Sequence, residues 1–255
     1  MIQNIDIKKL HFRYRINESF VLNDISLEIQ NDTIIAILGN NGSGKTTLLL
    51  TLLKRLIPTS GTIDFVNIDK KNENEIRIGY LPQIEKIPFG FTVEEYVLLG
   101  RFQQVNMFHI PSKNDLKITQ EILKELEIEW MQYKKISDLS GGELQKVRIA
   151  RIMAQEPDIF LLDEPANHLD LQNRRELLSI IQKKMKKNKK IVIFTTHDPN
   201  DALAIAKQVL LMNKGIVIQF GETKTIMQKD LLQKTFEIPI QIQKIEGKTV
   251  ILTEN

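Results

Sequence analysis

Thr33-Ile34-Ile35-Ala36-Ile37-Leu38-Gly39-Asn40-Asn41-Gly42-Ser43-Gly44-Lys45-Thr46-Thr47 is the stretch that decides the fold class. Its first six residues form an almost unbroken apolar run, the pattern of a strand buried on both faces. Glycines at 39, 42 and 44 then loosen the backbone, and Thr46 to Leu56, rich in leucine and stopped by Pro58, reads as a helix. A buried strand, a Gly-rich loop and a helix in that order aim backbone N–H groups and the positive end of a helix dipole at an anion. Gly39, Asn40, Asn41, Gly42, Ser43, Gly44 and Thr47 supply the cradle, Lys45 reaches the outer phosphates of a nucleotide, and the Thr46 hydroxyl takes Mg²⁺.

The rest of the chain fits an α/β architecture around this loop. Ile25, Leu27 and Ile29 alternate with polar residues as a half-buried strand does. Beyond Gln83 the pattern becomes helical: Thr92 caps a helix over Val93 to Leu99, and Ser112 caps another reaching about Leu126. Ile118, Ile122, Leu123 and Leu126 put an apolar stripe on one side of the second. This predicts a helical subdomain over about residues 84–154, inserted into the sheet of one domain spanning residues 1–255. Ile159-Phe160-Leu161-Leu162 and Ile191-Val192-Ile193-Phe194-Thr195 return to buried parallel strands. Gln208 to Met212 and Ile216 to Phe220, around Asn213-Lys214-Gly215, read as a hairpin followed by a short tail.

Composition narrows the function classes. With 255 residues, 42% hydrophobic and 26% charged, the chain supports one sizeable core. No cysteine is present, which excludes disulfides, iron–sulfur clusters and thiolate metal sites. A net charge of +3 is too mild to imply nucleic acid. The basic run Lys183-Lys184-Met185-Lys186-Lys187-Asn188-Lys189-Lys190 reads as a solvated helix end favoured by the dipole. No window approaches the roughly 18 to 20 apolar residues of a membrane span, and the start lacks a signal-peptide pattern, so the expectation is a cytosolic protein or one peripheral on a cytosolic face.

Asp163 ends an apolar strand, where an unpaired buried carboxylate costs several kcal/mol, so the Mg²⁺ on Thr46 is its natural partner. Glu164 is next in line to polarise an attacking water, assistance that contributes about 10² to 10⁴ in rate. Leu139-Ser140-Gly141-Gly142-Glu143 opens a helix with a hydroxyl and bare N–H groups that an anion can use.

Together with Gln83, Pro165, Leu169-Asp170 and His197, these motifs resemble the ATP-binding cassette of ABC transporters over nearly the whole chain. The resemblance implies a P-loop NTPase with a mixed, mainly parallel core sheet, an N-terminal antiparallel β subdomain and an inserted α-helical subdomain. It implies a homodimer in which ATP on one P-loop is capped by Ser140, Gly141 and Gly142 of the other copy. It makes Tyr14 the aromatic stacked on adenine, with Phe12 as near rival, and Gln83 a contact of Mg²⁺ or water in the loop toward the membrane partner. His197 becomes the contact of the γ-phosphate that orients the water of Glu164, and Asp170 either crosses the dimer interface or caps a helix. Ala166, where Ser or Thr is usual, and Leu144-Gln145-Lys146, where Arg-Gln-Arg is commoner, are mild departures.

Val93-Glu94-Glu95-Tyr96-Val97, Leu99-Gly100-Arg101, Phe108 through Asp115, Asn167-His168-Leu169-Asp170 and His197-Asp198-Pro199-Asn200-Asp201-Ala202 are similar to the cassettes of iron-chelate (siderophore or haem) and cobalamin importers, whose relatives carry zinc, manganese or molybdate. The function implied is an ATP-hydrolysing motor at the cytoplasmic face of a membrane, acting on permease subunits and, through them, on an extracytoplasmic substrate-binding protein, without nucleic acid. The alternative is a cassette for zinc, manganese or molybdate import, or a soluble cassette of iron–sulfur assembly or the ribosome. Against the ribosome, one cassette is present rather than a tandem pair, and the compact stretch from Lys45 to Ser140 lacks the long coiled coil of DNA-repair ATPases.

Overall fold

The computed structural model describes residues 2–67, 76–86, 90–104, 111–188 and 190–253. β1 (Ile2–Phe12) and β2 (Leu22–Gln30) pair antiparallel, with Ile5 opposite Ile29 and Ile7 opposite Leu27. Leu22, Ile25, Leu27 and Ile29 are buried, which gives the alternation read from the sequence its core side.

β3 (Thr33–Leu38) is buried along its whole length, and α1 (Lys45–Leu52) follows the loop. α1 stops short of the Leu56 expected from its leucine content. Lys54 turns left-handed (φ 58°) and the Arg55 N–H donates back to the Leu50 carbonyl at 3.0 Å, so a closing turn ends the helix well ahead of Pro58. β4 (Ser60–Asn67) joins the free side of β1, completing a three-stranded antiparallel sheet in the order β2-β1-β4.

β5 (Ile78–Leu81) leads into a helical stretch made of α2 (Val93–Leu98), α3 (Lys113–Glu125) and α4 (Gly141–Ala154). Each opens on a capping box: Thr92 with Glu95, Ser112 with Asp115, Ser140 with Glu143. The reciprocal bonds satisfy N–H groups that a first turn leaves orphaned, which is why these starts were legible. Between α2 and α3, Arg101 is buried and donates to Asp115 at 3.1 Å, to the Ala154 carbonyl at 2.6 Å and to Glu156 at 2.9 Å, pinning three segments together. Residues 108–110 of the importer-like segment Phe108 to Asp115 lie outside the described residues.

The chain returns through β6 (Ile159–Leu162), α5 (Leu171–Asn188), β7 (Ile191–Thr196), α6 (Pro199–Ile205), β8 (Gln208–Asn213) and β9 (Ile216–Glu222). The core sheet has the order β5-β6-β7-β3-β8-β9, parallel except for β9. The hairpin expected at residues 208–220 is therefore the closing edge of that sheet. The lysine-rich run begins in the last turns of α5, and the side chains of residues 184–189 lie outside the described residues. After β9 come α7 (Thr223–Ile226), α8 (Lys229–Phe236) and a second hairpin, β10 (Ile240–Ile245) with β11 (Lys248–Thr253). Four elements thus stand where the sequence reading had only a short tail.

Successive residues of β3 serve opposite faces. Ile34, Ala36 and Leu38 pack with Val97, Leu123, Ile149, Leu177 and Ala202 of the helices, whereas Ile35 and Ile37 pack with Leu48 and Leu49 of α1 and Ile5 and Leu10 of β1. Each buried Leu, Ile or Val of these sets contributes about 1.5–3 kcal/mol, so the sheet is clamped from both sides. Among the described residues no helix is long and apolar enough to cross a membrane.

Candidate active site

Parallel strands end at one edge. The register sets Leu38 beside Thr196, and Leu162 beside both Phe194 and Leu81. The residues that follow, Gly39, Asp163, His197 and Pro82-Gln83, therefore emerge together at the carboxyl ends, where open α/β sheets place their ligands.

The loop from Gly39 to Thr46 is shaped for an anion. Gly42 and Gly44 have φ of 78° and 99°, a left-handed backbone that glycine adopts without strain. α1 begins at Lys45 with no side-chain cap and no acidic residue in its first turn, so the positive end of its dipole is not neutralised locally. Lys45 is buried, and its ammonium donates to the carbonyls of Gly39 (2.8 Å) and Asn40 (3.0 Å). Burial pushes its pKa down, while the charges of Glu164 and then Asp163 push it back up. Ser43 Oγ is buried without a hydrogen-bond partner. A fixed cation, an orphan hydroxyl and an uncapped helix start fit a polyphosphate. Thr46 is exposed at the head of α1, and Asn40 Nδ2 ties the loop to the Phe236 carbonyl at 2.9 Å.

Asp163 is 2% exposed, and its Oδ1 accepts the Thr195 hydroxyl at 2.6 Å. The same hydroxyl accepts the backbone N–H of Glu164 at 2.8 Å. Glu164 has φ of 45°, a conformation that costs a non-glycine residue about 1–3 kcal/mol and is held only where the surroundings over-determine it. Its Oε2 accepts Asn167 Nδ2 (2.8 Å) and Gln83 Nε2 (3.3 Å) and lies 3.4 Å from His197 Nδ1. A carboxylate ringed in this way can polarise a water and take its proton. Thr195 was not anticipated, and Asn167 was noted only as part of the segment Asn167 to Asp170, without a role at Glu164. The only sequence signal for Thr195 is that hydroxyls replace apolar residues at the end of an otherwise apolar strand.

Tyr14 and Phe12 separate cleanly. Phe12 is buried in the core, while Tyr14 is 58% exposed, meets Phe12 edge-on at 5.0 Å and holds its hydroxyl 3.3 Å from Thr47 Oγ1 beside the loop. Ser140, Gly141 and Gly142 open α4: the Ser140 N–H donates to Glu143 at 2.8 Å and its Oγ accepts the Glu143 N–H at 3.3 Å. Asp170 caps α5, accepting the Asn173 N–H at 2.8 Å and Asn173 Nδ2 at 2.7 Å.

The ABC transporter family profile matches residues 22–167, more than half of the chain, and includes the loop, Ser140 and Glu164. The chain belongs to the ABC transporter family. It is an ATP-binding cassette and an ATPase. The molybdate import ATP-binding protein MolC of Haemophilus influenzae is 34% identical over 99% of this chain and 96% of its own length. A probable iron chelatin transport ATP-binding protein of Helicobacter pylori is 32% identical over 97% and 98%. Among solved structures, an inward-facing conformation of a metal-chelate type ABC transporter superposes with a TM-score of 0.88 at 32% identity, covering 100% of this chain and 98% of that one. A dimeric post-hydrolysis cassette bound to ADP and phosphate superposes with a TM-score of 0.73 at 26% identity, covering 86% and 98%.

In this ABC cassette the departures noted in the sequence leave the carboxylates intact. Ala166 is buried, and Gln145 Nε2 donates to the Pro165 carbonyl at 2.6 Å, tying α4 to the turn after Glu164.

Proposed function

We propose that this chain is the ATP-hydrolysing motor subunit of an importer for iron-siderophore, haem or cobalamin, bound as a homodimer to permease subunits at the cytoplasmic face of the membrane. The observation that carries the hydrolytic reading is the placement of Gln83, Asn167 and His197 around Oε2 of Glu164, on the strand end beside Lys45. Lys45 and the loop N–H groups bind the phosphates, Tyr14 lies against the base, and Glu164 takes the proton of the attacking water. His197 and Gln83 orient that water and the terminal phosphate. Thr46, Asp163 and Gln83 would hold Mg²⁺, which supplies neutralising charge on the phosphate oxygens. Ser140, Gly141 and Gly142 close the site of the partner copy, and Asp170 lines the interface.

The iron-chelate assignment draws its support from the iron chelatin relative and from the metal-chelate type structure that covers the whole chain. A second reading, molybdate import, is favoured by the similarity to MolC over nearly full length. No residue of a cassette touches the cargo, so the permease decides between them. Two steps test the proposal. Glu164→Gln should keep ATP binding, lower turnover by about 10² to 10⁴ and leave a dimer that persists with ATP on a sizing column; wild-type turnover in that variant ends the base assignment. Tagged Glu164→Gln protein, with ATP and Mg²⁺, should then capture a polytopic permease from detergent-solubilised native membranes. Its partner binding protein would be titrated with ferric siderophore, haem, cobalamin and molybdate. Tight binding of molybdate alone overturns the iron-chelate reading, and recovery of ribosomal or assembly proteins alone overturns the transporter reading.

A further inference from the structure

Arg174 takes no part in the roles above. It stands in the first turn of α5, and its backbone N–H donates to the Asp170 carbonyl at 2.9 Å. Its side chain crosses to another segment: Nε donates to Asp201 at 2.7 Å and an η nitrogen donates to Asp198. Asp198 follows His197 directly and caps α6, accepting the Asn200 N–H at 2.8 Å. Asp201 is buried and also accepts the Thr196 hydroxyl at 3.1 Å. Both chain neighbours of His197 are thus tied to one guanidinium, Asp198 directly and Thr196 through Asp201.

The two loops face each other across a cavity of about 60 Å³ lined by Glu164, Asn167, Leu169, Arg174, His197 and Asp201. Close-packed side chains transmit displacement, and a void does not. Across this gap the planar fork of an arginine, whose donors have fixed mutual angles, is a stiff connection; a lysine has one rotatable ammonium and cannot hold two carboxylates at set directions.

We propose that Arg174 is a positioning residue: it fixes the segment carrying His197 to the Asp170 end of α5, so that the placement of His197 follows the placement of the Asp170 loop. The inference rests on His197 acting at the phosphate end of the site, as proposed above. Contact of a second copy with the Asp170 loop then reaches His197 through Arg174, which links closure of the dimer to completion of the reacting group.

The test uses the full chain with Arg174→Lys, which keeps the charge, and Asp201→Asn, which removes one acceptor while keeping its shape. Folding is checked by thermal melting. In each folded variant kcat should fall about ten- to a hundredfold, the cost of misplacing a catalytic group by about an ångström, while KM for ATP stays within about threefold of wild type. In histidine-labelled protein the His197 ring resonance should move and that of His11, on β1, should not. A kcat within about threefold of wild type in a folded variant overturns the inference, as does an unmoved His197 resonance in both. Wild type and Glu164→Gln in the same assay keep failures apart. If wild type does not hydrolyse ATP, or Glu164→Gln matches it, the reading of the site itself fails; if that contrast holds and the Arg174→Lys protein runs at full rate, only the coupling role is lost.

Discussion

Gly142 of α4 lies against the side chain of Asn173 on α5, so near that a Cβ added to Gly142 would stand 2.4 Å from Asn173 Cγ. Asn173 in turn holds the carboxylate of Asp170. The glycine is needed here for close approach, and the contact joins the Leu139-Ser140-Gly141-Gly142 end of α4 to the Asp170 loop. Gly142→Ala should push Asn173 and Asp170 aside and lower ATP turnover about ten- to a hundredfold. Alanine in a helix gains up to about 1 kcal/mol over glycine, so unfolding is not the expected cause. Asn173→Ala in the same chain should recover part of the rate by clearing the contact. Wild-type turnover in the single variant would show that the Asp170 loop tolerates the shift.

Lys45 is the buried cation of the phosphate loop, and its ammonium now serves two backbone carbonyls. Lys45→Ala, made on the Glu164→Gln background so that turnover does not intrude, should weaken ATP binding by the worth of a charge-assisted hydrogen bond, about 1.5–3 kcal/mol. Titration with a fluorescent ATP analogue reads this directly. Undiminished affinity would contradict the phosphate role.

Ser140 is exposed, and its hydrogen bonds at the head of α4 run to Glu143 of its own helix, while its proposed role is at the site of the other copy. Ser140→Arg should therefore act on the other copy. In a dimer of one Ser140→Arg chain and one wild-type chain, purified by two different tags, one of two ATP sites should be disabled. Full turnover in that mixed dimer would speak against a cross-subunit site.

Asp115 accepts the Ser112 N–H at 3.0 Å, the Ser112 hydroxyl at 2.7 Å and Arg101 Nε at 3.1 Å. The Ser112 bonds first, and then Arg101, hold its carboxyl down to about 2 from the ordinary 3.8. In the interval between those values the unfolded chain binds the proton and the folded chain does not, so stability rises with pH there. The contribution is complete above the ordinary carboxyl range and is lost as pH falls toward 2. Urea midpoints measured from about pH 5 down to pH 2 should fall more steeply for wild type than for Asp115→Asn. Parallel curves would mean that the pair with Arg101 carries no linked proton.

What the sequence by itself determined is the part of the fold that carries a local mark in residue type or apolar pattern. The turn at Gly42 and Gly44 and the boxes at Thr92, Ser112 and Ser140 depend on residues a few places apart, and the strand before Gly39, though its ladder partners are distant, announces its burial on both faces by an apolar run. Tyr14 against Phe12 remained open there, because both are aromatic and only packing sends one to the core. The early end of α1 escaped notice because a left-handed lysine at position 54 has no compositional mark. In the ring around Glu164, Asn167 is a near neighbour in the chain, whereas Gln83 and His197 reach it only through the tertiary structure. The parallel pairing of β6 with β7 brings Thr195 to Asp163 and His197 to Glu164 from about thirty residues away, and the pairing of β7 with β3, an order the chain does not follow, sets the loop that carries Lys45 beside them. Arg174 likewise meets Asp198 and Asp201 across a turn of the fold, where residue type announces a charge but only the packing of α5 against α6 names its partners.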